Sequence, residues 1–131
     1  MKFSEASPAL RAYVECAIWS STDIDTSEPL DKKYSGEDLS EQTLDKMNAD
    51  LEAFLKEYYK FLGAADIHCH ASADQVAHDF WLTRNHHGAG FWDRPELYSG
   101  QTFADKLTTL AHSFGEADLL ASDGILEHFP V

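Results

Sequence analysis

Positive charge is what this sequence has least of: ten Lys and Arg stand against twenty-three Asp and Glu, for a formal net charge of −13. A surface that acidic repels phosphate backbones and anionic lipid headgroups, so direct binding to DNA, RNA or a membrane is disfavoured. Cysteine is nearly absent. Cys16 and Cys69 are too few and too isolated for a disulfide framework, and two reduced thiols suit a cytosolic setting. No run approaches the roughly eighteen apolar residues needed to span a bilayer, and Met1 to Glu5 opens no signal-type stretch. The expectation is a soluble cytoplasmic protein. Also missing are a phosphate-binding loop, a dinucleotide fingerprint, a nucleophile elbow and a two-histidine zinc motif, so no cofactor is expected. No internal repeat or low-complexity tract occurs.

What is present suits one domain over residues 1–131, with sixteen aromatic residues to fill a single core. Ser7 before Pro8 is a helix start, and Leu10, Tyr13, Val14, Ala17 and Ile18 recur at helical spacing, predicting a first helix that ends near Trp19. Residues 20–39 form a long acidic loop. Asp23, Asp25, Glu28, Asp31, Glu37 and Asp38 outnumber Lys32 and Lys33, and Trp19, Ile24, Leu30 and Tyr34 are the side chains expected to pin it down. Connections beyond about 12 to 15 residues are uncommon in compact domains unless functional or mobile, so a partner-binding loop is the alternative.

The clearest helix runs from Ser40 to Leu62. Leu44, Met47, Leu51, Phe54, Leu55, Tyr58 and Leu62 make its apolar stripe, and Gly63 stands where a left-handed terminator belongs. Ser72 and Gln75 form a capping-box pattern that opens a third helix at Ala73, limited to about Asn85 or His86 by Gly88-Ala89-Gly90. Thr102 with Asp105 predicts the start of a fourth, closed by Gly115. Asp123-Gly124 between two short apolar runs predicts a type I′ hairpin. The fold class is therefore α+β, with about four helices and a C-terminal hairpin. Two strands alone are marginal, so Phe91-Trp92 is expected to add a third antiparallel strand or the hairpin to pack on helices.

His78 to Arg94 is the densest stretch, with two Trp, two Phe, three His, two Asp and two Arg around the Gly-Ala-Gly bend. On a helix, His78, Leu82 and Asn85 share one stripe and Asp79, Thr83 and His86 the next, while Arg84 can stack on Phe80 or Trp81. One use of these residues is catalytic: His78, Asp79 and His87 as acid and base, Arg84 and Asn85 to bind an anion or polarise a carbonyl, and the glycine-bend amides as an anion nest. A second is a binding patch of Trp81, Thr83, Arg84, Asn85, His87, Phe91, Trp92 and Asp93, because interfaces draw their energy from a few Trp, Tyr and Arg anchors. A third is structural. Tryptophans in the core and a buried Arg-Asp pair closed by Asn and Thr would account for the same residues. His68, Cys69 and His70 could pinch a metal, but no second half at ligand spacing follows, and no metal site is expected.

The run Ala77 to Asn85, with His87 to Asp93, resembles a signature shared by small acidic proteins encoded by tailed bacteriophages and prophages. The similarity extends to Ala12–Asp23, Glu28–Asp31 and Phe114–Leu119 ahead of Asp123-Gly124. It implies a setting in the host cytoplasm and no particular chemistry. Accessory proteins of that kind act by occupying a host protein, including nucleic-acid-directed defence factors whose basic surface an acidic protein can engage. The resemblance thus favours host-protein binding or inhibition over a small enzyme of hydrolase or transferase type.

Overall fold

Ser7 Oγ accepts the Leu10 amide at 3.1 Å and Pro8 occupies the first helical position, so α1 runs Pro8–Ser20. Its buried face is Leu10, Tyr13, Val14, Cys16, Ala17 and Ile18. The structure, a computed structural model, describes residues 1–130. Ser40 Oγ caps Thr43 N at 3.1 Å to open α2, Glu41–Ala65. Here the expected terminator is displaced: Gly63 lies inside the helix, and Asp66 takes the left-handed position at φ 53°. Asp tolerates that conformation better than most residues, and the half-buried Ile67 returns its amide to Leu62 O at 3.0 Å.

Ser72 Oγ accepts Gln75 N at 3.1 Å and starts α3, Ala73–Arg84. The Gln75 side chain turns forward to Asp79 instead of back to the cap, so the box is only half made. α4, Gln101–Ser113, starts one residue before Thr102 and has no side-chain cap; Gly100, at φ 103°, makes the entry turn. Gly115 leaves it at φ 77° as expected. β1 (Ala117–Ser122) and β2 (Ile125–Pro130) pair antiparallel with Ser122 opposite Ile125. Asp123 and Gly124 both have positive φ, 52° and 79°, as a type I′ turn demands.

The core is built on rings. Tyr13 and Phe80 stack at 5.4 Å, Phe80 and Phe54 at 4.2 Å, and Phe54 and Phe91 at 5.5 Å, joining α1, α3, α2 and the bend after α3. α3 packs chiefly along α1. The third strand does not form: Phe91–Asp93 is a 3-10 turn, and the sheet has two strands. The hairpin instead leans on α2. Leu126 is buried, bridges Leu39, and accepts Ser40 N at 3.3 Å.

Residues 20–39 are more structured than a free loop. Thr22 bridges Pro29, Leu30 N bonds Ser21 O at 3.0 Å, and 3-10 turns occupy Leu30–Lys32 and Gly36–Asp38. Leu30 is buried and Tyr34 half-buried, as expected for anchors. Trp19 and Ile24 are not anchors, since they are 60% and 76% exposed. Among the described residues no helix is long and apolar enough to cross a membrane.

Candidate functional site

Arg84 enters the core in place of a surface patch. Only 3% exposed, it lies 5.4 Å over the Phe80 ring and donates to Gly115 O (2.8 Å), Phe114 O (3.1 Å), Tyr13 Oη (3.0 Å) and Asp50 Oδ2 (3.0 Å). Burial works to raise the Asp50 carboxyl, but hydrogen bonds from Arg84 and Lys46 outweigh it and hold it below its ordinary value. The Tyr13 phenol is raised by burial. Asn85, one residue on, spends its amide on Trp81 O (3.0 Å) and its carbonyl on Ala117 N (2.8 Å), clasping β1 to the end of α3. With Arg84 and Asn85 committed there, the five catalytic candidates do not converge.

Two of the five do meet. Asp79 is fully buried, and its Oδ1 receives Gln75 Nε2 at 2.8 Å and faces His78 Nδ1 at 3.0 Å. Tyr98 Oη donates to Oδ2 at 2.5 Å, and Arg94 Nε lies 3.6 Å from Oδ1. Burial raises the Tyr98 phenol first of all, with the Asp79 charge adding to it. Behind His78, the buried Cys16 thiol donates to the His78 carbonyl at 3.5 Å, and burial pushes it up to about 12, which keeps it protonated and inert. The result is a half-exposed imidazole held by a buried carboxylate from one ring nitrogen.

The glycine bend is closed in a way the sequence does not announce. Thr83 Oγ1 accepts Phe91 N at 3.1 Å, and a Cβ on Gly90 would collide with that oxygen and with the Trp92 ring. This is why glycine stands at residue 90. The proposed anion nest is already filled by the chain's own Asp93, whose Oδ2 accepts Ala89 N at 2.8 Å. Of the eight binding-patch residues, Trp81, Thr83, Arg84 and Phe91 are therefore interior, Asn85 and Trp92 are half-buried, and only His87 and Asp93 are exposed. Trp81 Nε1 bonds Ser20 Oγ at 2.9 Å.

His68, Cys69 and His70 lie in an irregular stretch with both histidines exposed, and the described residues contain no group of three metal-type ligands. Burial raises the Cys69 thiol.

Two surface grooves flank this framework and share Ser20 and His87. The first, about 400 Å³, runs beside β1, where Glu116 to Leu120 face Ser21, Thr22, Ile24, Trp81 and Asn85. The second, about 500 Å³, lies over His78 and Leu82, between Trp19 and the Gly88, Ala89 and Arg94 side. Trp19 as a groove wall, Asp50 as the partner of Arg84 and Tyr98 as the donor to Asp79 are not legible in the sequence. None carries a local signal, because each meets its partner only through tertiary contact.

Comparisons with protein-family models, with curated proteins and with solved structures return no match.

Proposed function

We propose that this chain is a phage or prophage accessory protein that occupies a host protein in the host cytoplasm, taking an extended basic segment of it along the open edge of β1. The unpaired edge carries the reading. Among the described residues β1 pairs only with β2. In a two-residue hairpin the closing pair Ser122·Ile125 exchanges hydrogen bonds, so Leu120 and Asp118 also bond inward, while residues 117, 119 and 121 point their amides and carbonyls outward. Asn85 takes the outward amide of Ala117. Those of Leu119 and Ala121 have no backbone partner among the described residues.

An open edge is a template for strand addition, in which main-chain bonds supply affinity and neighbouring pockets supply selectivity. The groove alongside offers Ile24 as an exposed apolar anchor and Glu116 and Asp118 as an acidic rim. Asp23, Asp25 and Glu28 add charge on the Ile24 side, and the net charge of −13 steers a basic partner inward. A host protein whose basic surface ordinarily meets nucleic acid fits this description.

The test compares wild type with Ala121→Pro and Asp118→Lys in pull-downs from host lysate. Proline at residue 121 removes an outward amide and leaves the β1–β2 bonds intact. The expected result is a basic protein retained by wild type, lost with Ala121→Pro, weakened by Asp118→Lys, and released as salt rises from about 0.05 to 0.3 M. Equal capture by all three proteins would refute edge pairing.

A further inference from the structure

We propose that the second groove is a separate binding site for a small oxyanion carried on a flat ring, such as an aromatic phosphate or carboxylate. In a chain with twenty-three acidic residues, the lining of this groove contains none: it is Trp19, Ser20, His78, Leu82, His87, Gly88, Ala89 and Arg94. The nearby carboxylates lie outside that lining. Asp79 is buried beneath, Asp93 is held on Ala89 N, and Glu15 sits in a neighbouring hollow on another side of Trp19 and His78.

Asp79 anchors two nitrogen-bearing side chains of the groove from beneath. It meets His78 through Nδ1 and Arg94 through Nε. Arg94 Nε also donates to Ala89 O at 3.1 Å, so both anchoring contacts use the same nitrogen. The two Nη groups have no acceptor among the described residues, and neither does His78 Nε2. A planar fork with free donors matches an oxyanion in two-point geometry, and a carboxylate or phosphate there replaces the water that otherwise solvates it. Trp19 supplies the apolar half of the site. It is 60% exposed, and its ring lies 28° from parallel to the His78 ring at 6.4 Å. An exposed tryptophan lining the same groove as a guanidinium with two free Nη groups favours a ligand with a flat face and a negative end.

Anion binding here does not depend on strand addition at β1, because Trp19, His78 and Arg94 line the second groove and not the first, and the ligand class differs. Its test is amide and side-chain NMR of the full chain titrated with phenyl phosphate, benzoate, inorganic phosphate and phenol. Phenyl phosphate or benzoate is expected to give saturable shifts confined to Trp19, His78, His87 and Arg94, and which of the two binds better identifies the anion. Phenol should not bind, and inorganic phosphate should bind more weakly than phenyl phosphate. Arg94→Gln should weaken the aromatic anion by about tenfold, equivalent to 1.4 kcal/mol. Because Arg94 also contacts Asp79, the exposed Trp19→Ala serves as the second variant. It should abolish the advantage of phenyl phosphate over inorganic phosphate while leaving the folded spectrum intact. Scattered shifts, no saturation by about 10 mM (ten times a millimolar Kd), or unchanged binding in Trp19→Ala would overturn the proposal.

Discussion

Arg84 is the residue on which most of the interior polar chemistry depends. It satisfies two carbonyls at the end of α4, the Tyr13 hydroxyl and the Asp50 carboxylate. Removing a buried cation strands all four acceptors, so Arg84→Ala should cost about 3–5 kcal/mol in urea unfolding. Arg84→Lys keeps the charge but cannot reproduce the fork, and should cost about 1–3 kcal/mol. A loss within about 0.5 kcal/mol for the alanine variant would show that the network is incidental. The stacking of Arg84 near Phe80 was legible, because residues four apart on a helix are neighbours. Its ion partner was not. Asp79 and Asp93 are the aspartates nearest in sequence, whereas Asp50 stands 34 residues away on a different helix.

At the scale of elements, the docking of the hairpin on α2 and α3 is sensitive to acid. The His128 ring lies 6.2 Å from Trp81, both its nitrogens are buried without a hydrogen-bond partner among the described residues, and its amide bonds Thr43 Oγ1 at 3.3 Å. Burial lowers the His128 imidazole first, the Arg84 charge and Lys46 lower it further, and Asp50 opposes them. The folded chain therefore keeps His128 neutral where an unfolded one, with an ordinary value of about 6.5, accepts a proton. Stability should fall as pH drops below about 6.5 and level off beneath the folded value. His112, lowered by burial and by His86, contributes with the same sign, while Asp50 acts only in the carboxylate range. His128→Phe should flatten part of the slope between about pH 7 and 5, measured by urea unfolding; an unchanged slope would remove His128 from the account. Element boundaries show the same division between local and distant causes. The start of α1 follows from Ser7-Pro8 and the I′ turn from Asp123-Gly124, whereas the end of α2 at Asp66 depends on Ile67 finding the core.

For the molecule as a whole, a net charge of −13 on 131 residues is a standing repulsion. The Arg84–Asp50 ion pair is largely buried and is screened little. Added salt should therefore relieve more repulsion than attraction, and the urea midpoint should rise between about 0.02 and 0.2 M sodium chloride. A falling midpoint would mean that surface pairs such as Lys46–Asp50 and Lys60–Glu57 outweigh the excess of acid. Partner capture along β1 should respond with the opposite sign, which separates folding from binding in the same titration.

The sequence alone determined the helices, the hairpin and the acidic character, because capping, periodicity and turn chemistry act between residues a few positions apart. It also marked His78 to Arg94 as the stretch densest in aromatic and polar side chains. Only the tertiary structure decided which of those side chains face water. Trp81, Arg84 and Phe91 went inside and Trp19 and Ile24 stayed out, because burial is settled by what packs opposite, and the opposing residues come from other helices.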